Sequence, residues 1–137
     1  MEGEMVNDTL GPLRQFPFFS RLSTKALKKI SRIVEEVALP KGTVIVEQGT
    51  VGYEFLLIED GAVRVEKDGE VVNRLFSNDF FGEIAMIGMK PHSATVVAET
   101  DVKLLVVGRW HFEHLLEMTP GLWKEFATVL CGYVRSQ

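Results

Sequence analysis

Residues 82–94 hold the side chains whose types and spacing could bind a ligand. Gly82 follows two phenylalanines, and residues 83–88 have the length of one or two helical turns before a strand at Ser93. A glycine that opens a short helix leaves backbone N–H groups pointing outward, and these groups attract a phosphate. Glu83 beside them can accept a hydrogen bond from a sugar hydroxyl. A tight turn with a surface glutamate is the alternative that an isolated Gly-Glu pair leaves open.

Enzymatic and metal chemistry have weaker support in the sequence. His111 and His114 are three residues apart with Glu117 next in line, so one helical face would carry three potential metal ligands. A solvated polar face explains this spacing better, and we expect no metal site. Cys131 is the only cysteine, so the chain forms no internal disulfide. Because the sequence has no nucleophile–base signature and no Walker-type phosphate loop, we expect neither an enzyme nor a resident cofactor.

The composition narrows the class of protein. A chain of 137 residues with 46% hydrophobic and 25% charged residues fits a single globular domain. The net charge of -4 argues against a nucleic-acid partner, because nucleic-acid-binding domains usually present a basic face. The sequence has no run of ~20 apolar residues and no leader-type apolar segment. We therefore expect no membrane contact and a cytoplasmic location.

A helix is predicted near the N-terminal end. Ser23 or Thr24 can cap it, and Pro40 ends it. Residues 17–20 before the cap are predicted to form an apolar hinge. The apolar positions of the helix recur at spacings of three and four. They are Ala26, Leu27, Ile30, Ile33, Val34 and Val37.

From residue 41 onward the apolar pattern is that of short strands. Asp68-Gly69 can supply the positive φ angles of a two-residue hairpin turn. Strands separated by such turns favour an antiparallel β-roll or jelly-roll barrel over about 37–107, with about eight strands and a short helix at 82–87. The runs predicted as strands are 43–47, 55–59, 62–67, 70–76, 93–99 and 102–107.

Residues 109–135 are predicted to form two C-terminal helices. The first covers 109–118, and Thr119 caps the second with Pro120 at its first position. No linker divides the chain, so 1–137 is predicted to be one domain. The second helix has an apolar stripe that must pack on the barrel or on a second copy of the chain. The stripe consists of Leu122, Trp123, Phe126, Val129, Leu130, Tyr133 and Val134.

The order and spacing of several motifs resemble the cyclic nucleotide-binding domain family, which includes catabolite-activator-type regulators and the regulatory subunits of cyclic-AMP-dependent kinase. The resemblance runs from about Phe16 to Tyr133, and its most specific part is a phosphate-binding cassette that reads Phe-Gly-Glu-Ile-Ala at 81–85. The other matching motifs read Phe-Phe-Ser-Arg-Leu-Ser at 18–23, Lys-Gly-Thr-Val-Ile at 41–45, Glu-Gln-Gly at 47–49, Gly-Tyr-Glu-Phe at 52–55 and Ile-Glu-Asp-Gly-Ala-Val at 58–63.

The resemblance implies a regulatory module that binds a cyclic nucleotide, either cAMP or cGMP. The backbone amides of residues 82–85 would hold the ribose and the cyclic phosphate, and Glu83 would accept a hydrogen bond from the ribose 2′-hydroxyl. Ser93 would donate to an exocyclic phosphate oxygen, with Ala94 packed near it. The last helix would cover the purine as a lid, with Leu130, Tyr133 or Arg135 as the contact. The implied ligand-binding residues are Gly82, Glu83, Ile84, Ala85, His92, Ser93, Ala94 and Tyr133.

One residue departs from the family's pattern. The cassette normally has an arginine at the position that His92 occupies. Arginine is permanently charged, whereas histidine is only partly protonated at pH 7. We therefore expect cyclic nucleotide binding to strengthen as the pH falls from about 8 to about 6. The alternative is a β-roll interaction scaffold that no longer binds a nucleotide.

The sequence leaves the output of such a module open. Ligand capture in the barrel would shift the end helices between two arrangements, and the ligand must prefer one of them. We expect an unidentified protein partner to bind one of these arrangements. The alternative is that the apolar stripe of the C-terminal helix forms the interface of a homodimer.

Overall fold

The computed structural model describes residues 10–52, 54–81 and 91–118, together with residues 121, 124 and 128. The chain forms two compact units, a helical unit of residues 1–34 and 110–137 and a barrel unit of residues 35–109. The elements in chain order are helices α1 (Leu10–Arg14), α2 (Pro17–Ser20) and α3 (Thr24–Ser31), strands β1 (Val34–Leu39), β2 (Val44–Val46), β3 (Glu54–Asp60), β4 (Ala62–Lys67), β5 (Glu70–Phe76), β6 (Phe80–Phe81), β7 (Thr95–Ala98) and β8 (Val102–Gly108), and helix α4 (Arg109–Met118).

Helix α3 begins where the sequence predicts. Ser23 is its N-cap, and the hydroxyl oxygen of Ser23 accepts a hydrogen bond from the backbone N–H of Ala26 over 3.1 Å. Ala26 and Ile30 are buried, whereas Lys25 is exposed, so the helix has one apolar face. The predicted cap and the predicted apolar face of this helix are confirmed.

The predicted C-terminal end of this helix is wrong. Helix α3 ends at Ser31, and Val34 and Val37, predicted to continue its apolar stripe, lie in strand β1. β-branched side chains favour strands, and Val37 packs against the barrel core together with Leu39 at the alternate spacing of a strand. Residues 17–20, predicted as a hinge, form helix α2 instead.

Among the described residues, eight strands form two four-stranded sheets with the orders β1-β8-β3-β6 and β2-β7-β4-β5. Strand β3 pairs antiparallel with β6 and β8, and β4 pairs antiparallel with β5 and β7. The predicted antiparallel β-roll is therefore confirmed. The predicted strands at 62–67 and 70–76 coincide with β4 and β5, whereas β1 and the two-residue strand β6 were not predicted.

Helix α4 coincides with the helix predicted over 109–118. Lys124 and Thr128 are also helical, and the hydroxyl of Thr128 donates to the carbonyl oxygen of Lys124 over 2.7 Å. The rest of the predicted final helix and the predicted short helix at 82–87 lie outside the described residues.

Side chains from both sheets form the core of the barrel unit. Along β3, β7 and β8 the core residues are spaced by two, as expected for strands that turn one face inward. Full burial of a side chain of this kind stabilises the fold by roughly 1.5–3 kcal/mol. The members are Leu56, Ile58, Val63, Phe81, Val96, Ala98, Val102, Leu104 and Val106.

The hairpin between β4 and β5 has the predicted turn. Asp68 and Gly69 have φ angles of 53° and 86°. Two successive residues with positive φ are typical of a type I′ turn, whose twist matches that of the flanking strands. The predicted Asp-Gly hairpin is therefore confirmed, and its turn is fixed by local chemistry.

Gly61 between β3 and β4 tests how tightly the barrel is packed. Its φ is 107°, and a Cβ there would lie 2.5 Å from the carbonyl oxygen of Asp101. Gly69 also has a positive φ, but nothing lies within 4 Å of its Cβ position. We expect Gly61→Ala to lower the free energy of unfolding by about 3 kcal/mol and Gly69→Ala by about 1 kcal/mol. Urea unfolding measures both losses, and equal losses would show that the contact with Asp101 is unimportant.

Two carboxyl groups interact within the first sheet. Burial of the Glu59 carboxyl, its hydrogen bond with Glu36 and the negative charge of Glu36 raise the pKa of Glu59 to about 7. The ammonium group of Lys103, on the strand between them, acts in the opposite direction. Glu59 lies where the register between β3 and β8 shifts. In the described part of the chain its Oε1 atom is buried without a hydrogen-bond partner.

We expect this carboxyl pair to make the protein less stable as the pH rises from about 4.5 to about 7. The raised pKa of Glu59 means that the folded state keeps a proton that the unfolded chain loses in this range. Glu59→Gln should remove this decline and stabilise the protein by about 1 kcal/mol above pH 7, a value reduced for solvent screening. Thermal unfolding at about pH 5 and about pH 8 measures the effect, with the exposed Glu35→Gln as control. A variant less stable than the wild type at the higher pH would contradict this expectation.

Candidate functional site

Strand β6 fixes the start of the candidate ligand segment, which comprises residues 82–90. Phe81 is buried and pairs with Leu56 of β3. The ring of Phe80 packs edge to face against the ring of Phe55, with the ring centroids 5.2 Å apart. These contacts hold the residues before the segment against β3. The predicted site residues Gly82, Glu83, Ile84, Ala85 and Tyr133 lie outside the described residues.

The residues directly after the candidate ligand segment are held by a second loop. Pro91 and Val51 form an antiparallel bridge. The backbone N–H of His92 donates to the carbonyl oxygen of Thr50 over 2.8 Å, and the carbonyl oxygen of His92 accepts from the N–H of Gly49 over 2.9 Å. A pair of backbone hydrogen bonds in both directions fixes the position and the orientation of this stretch. We call the holding segment, residues 47–51, the β2–β3 loop.

The β2–β3 loop is itself closed by a tight turn. The carbonyl oxygen of Glu47 accepts hydrogen bonds from the backbone N–H of Thr50 over 3.1 Å and from its hydroxyl over 2.6 Å. Gly49 has a φ of 89°, which residues with a Cβ rarely adopt. The backbone N–H of Gln48 donates to the hydroxyl oxygen of Thr95 at the start of β7 over 3.0 Å. The loop therefore contacts both the end of the ligand segment and the strand that follows.

Three of the predicted site residues lie together just before β7. His92 and Ala94 are half-buried, whereas Ser93 is exposed. In the described part of the chain the hydroxyl of Ser93 makes no hydrogen bond, so it is available as a donor. The arrangement can present a hydroxyl and an imidazole to a ligand that occupies the adjacent ligand segment.

The electrostatic environment of His92 favours the neutral imidazole. Burial lowers the pKa of His92 below its ordinary value of 6.5, and the negative charge of Glu54 on β3 opposes this shift. The free protein at pH 7 therefore has no full positive charge at the position where the family has arginine. A neutral imidazole can still donate one hydrogen bond to a phosphate oxygen.

Sequence reasoning missed the residues that hold this stretch in place. Gln48 was considered only as part of the Glu-Gln-Gly motif at 47–49, and Thr50 was not considered. Glu54 was part of another motif and was given no role of its own. The contact between Gln48 and Thr95 joins residues 47 positions apart. No local periodicity encodes a contact of that range, so only the folded barrel shows it.

The histidines that the sequence offered as potential metal ligands are not grouped with further ligands in the described structure. His111 and His114 are both exposed on α4. Within the described ranges, no three His, Cys, Asp or Glu side chains are grouped as metal ligands would be. Among the helices that the structure describes, none combines the length and the apolar character that crossing a bilayer requires.

The two four-stranded antiparallel sheets define a β-roll domain. Residues 36–119 match the family model described as cyclic nucleotide-binding domain, and this range is more than half of the chain. The chain belongs to the cyclic nucleotide-binding domain family. The resemblance inferred from the sequence motifs is thereby confirmed.

The similar proteins include regulatory subunits of cAMP-dependent protein kinase. The subunit of Aspergillus fumigatus is 40% identical over 106 residues, which are 76% of this chain and 26% of that protein. The subunit of Schizosaccharomyces pombe is 37% identical over 105 residues, again 76% of this chain and 26% of the relative. The chain thus spans about a quarter of the length of the curated relatives it matches.

Solved structures share the fold. The N-terminal domain of a transcriptional regulator from Streptomyces coelicolor superposes with a TM-score of 0.80 at 23% identity, covering 91% of both chains. The regulatory domain of Toxoplasma gondii PKA, crystallised with cAMP, superposes with a TM-score of 0.70 at 28% identity, covering 84% of this chain and 45% of that one.

We expect Glu54→Gln to lower the pKa of His92 further. The carboxylate of Glu54 is the group that opposes the effect of burial, so its neutralisation leaves burial alone to act. NMR titration of the histidine ring protons measures the shift, and His111 and His114 in the same spectra are internal references. Glu70→Gln, an exposed change of the same kind on β5, should leave His92 unaffected. A pKa of His92 that stays constant would show that Glu54 lies outside its electrostatic reach.

Proposed function

We propose that this chain binds cAMP at a site formed by residues 82–85 and residues 92–94, and that it acts as a regulatory module rather than as an enzyme. Membership of the cyclic nucleotide-binding domain family supports the ligand class. Relatives named as regulatory subunits of cAMP-dependent protein kinase support cAMP as the ligand and regulation as the role. Backbone amides of 82–85 hold the ribose and phosphate, and Glu83 accepts from the ribose 2′-hydroxyl.

The observation that carries this proposal is the fixed position of residues 92–94. Hydrogen bonds to Gly49 and Thr50 hold His92, and the neighbouring Ser93 is exposed three positions after the candidate ligand segment. A hydroxyl in a fixed position can donate to a phosphate oxygen at little entropic cost. Strand β6 fixes the residues directly before the same segment, which supports a phosphate site between the two fixed stretches.

Regulation follows if the ligand stabilises one arrangement of the helices over another. A ligand changes a conformational equilibrium only through a difference in affinity for the two states. The last predicted helix is the lid in this proposal, and Leu130, Tyr133 or Arg135 contacts the purine. The output is a protein partner, and the catalytic subunit of a kinase is the candidate that the relatives' names suggest. A homodimer through the C-terminal helix is the other candidate.

The lowered pKa of His92 favours one alternative function. With a neutral imidazole where the family has arginine, the phosphate loses a charge-assisted hydrogen bond that is worth about 1.5–3 kcal/mol. A β-roll that has lost this contact could serve as an interaction scaffold without a bound nucleotide. Direct titration of the ligand decides between the two functions.

We expect His92→Arg to bind cAMP about tenfold more tightly than the wild type at neutral pH. The wild-type affinity should rise as the pH falls, because the bound phosphate raises the pKa of His92 and binding takes up a proton. Since the pKa of free His92 is lowered below 6.5, this rise should continue below about pH 6. The arginine variant should show no such dependence. Isothermal titration calorimetry with cAMP and cGMP between about pH 8 and about pH 5.5 measures these affinities.

His114→Arg is the matched control, because it makes the same substitution at an exposed position on α4. Its affinity for cAMP should equal that of the wild type. If neither the wild type nor His92→Arg binds millimolar cAMP or cGMP, the scaffold function replaces the proposed one. Tight wild-type binding without pH dependence would show that His92 does not contact the phosphate.

A further inference from the structure

We propose that Gln48 positions residues 92–93 by joining the β2–β3 loop to the turn of the β4–β5 hairpin, and thereby sets the affinity for a cyclic nucleotide without touching it. This inference rests on the function proposed above and adds to it a residue outside the ligand site. Three successive contacts connect the hairpin turn to His92.

The first contact joins Gln48 to the hairpin turn. The side-chain Nε2 of Gln48 donates to Oδ1 of Asp68 over 3.0 Å, and its Oε1 accepts from the backbone N–H of Asp68 over 3.0 Å. The amide thus uses its donor and its acceptor on one residue. Asp68 has a φ of 53° in the type I′ turn, so the turn fixes the direction of its backbone N–H. Only a side chain with both a donor and an acceptor fits this partner.

The second set of contacts fixes Gln48 within the β2–β3 loop. The backbone N–H of Gln48 is bound to the hydroxyl of Thr95, and Glu47 and Thr50 close the turn around it. Four of the loop's polar groups are therefore engaged at fixed distances. A displacement of Gln48 must displace Gly49 and Thr50 with it.

The third contact reaches the candidate site. Gly49 and Thr50 form the reciprocal backbone hydrogen bonds with His92, at 2.9 Å and 2.8 Å. These bonds and the bridge between Val51 and Pro91 are the described contacts that orient the stretch before Ser93. Loss of the link at Gln48 would allow the loop and the ligand-binding stretch to move together, which weakens a phosphate contact that needs a defined direction.

A charge-exchange pair tests this link. Gln48→Glu replaces the donor by a carboxylate that faces the carboxylate of Asp68, so it should break the link by repulsion. Asp68→Asn in the same chain restores a donor opposite the new acceptor, and asparagine is well suited to the first position of a type I′ turn. The double variant also has the net charge of the wild type. Gln15→Glu, at an exposed position in the helical unit, is the control for added charge alone.

The first measurement is the affinity for cAMP by calorimetry. Gln48→Glu should bind about tenfold more weakly than the wild type. The double variant should return to within about threefold of the wild type, and Gln15→Glu should equal it. Thermal unfolding of all three variants serves to separate a local effect from a loss of stability. The inference would be overturned if Gln48→Glu bound cAMP as tightly as the wild type. It would also be overturned if the double variant bound cAMP no more tightly than Gln48→Glu.

The second measurement does not depend on any ligand. Amide hydrogen exchange in the free protein, followed by NMR, should be faster at the N–H groups of Gly49 and His92 in Gln48→Glu and normal in the double variant. Unchanged exchange at these two groups overturns the positioning role, and so does an equal acceleration throughout the core strands. If wild-type protein binds neither cAMP nor cGMP, the proposed function and the effect on affinity both fall, while the exchange data still decide whether Gln48 positions His92.

Discussion

Burial of the apolar core shared by the two sheets is the interaction on which the rest of the barrel unit depends. Phe81 and Val96 both belong to that core, and they lie on the strands before and after the candidate ligand segment. The segment therefore begins directly after a core side chain, and the strand that follows it has another. A binding site built in this way takes its geometry from hydrophobic packing, while its ligand contacts come from polar groups that the core does not use.

Among the described residues of the barrel unit, two titratable groups have perturbed pKa values, and both shift toward their neutral forms. Burial raises the pKa of Glu59 and lowers that of His92, and in each case it is the largest cause. The negative charge of Glu36 adds to the shift at Glu59, whereas that of Glu54 opposes the shift at His92. An anion bound beside a neutral His92 would depend on hydrogen-bond donors in fixed directions more than on a formal positive charge.

The parts of the fold that the sequence predicted well are those encoded locally. The Asp68-Gly69 turn specifies its own hairpin, so β4 and β5 were predicted with correct bounds. The end of α3 was predicted wrongly because Val34 and Val37 satisfy a helical spacing as well as that of a strand, and pairing in the first sheet decides the outcome. The role of Gln48 was not predictable, because its partners Asp68 and Thr95 are 20 and 47 positions away.

The bridge between Val51 and Pro91 and the pairing of Phe81 with Leu56 have a consequence for chain entropy. Closing a loop has a conformational cost that is met when its ends are brought together, and here the barrel brings them together during folding. A ligand that contacts residues 82–90 would therefore not have to bring the two flanking stretches together. Substitutions at these positions should leave the closure free energy, and hence this contribution to the stability of the barrel, nearly unchanged.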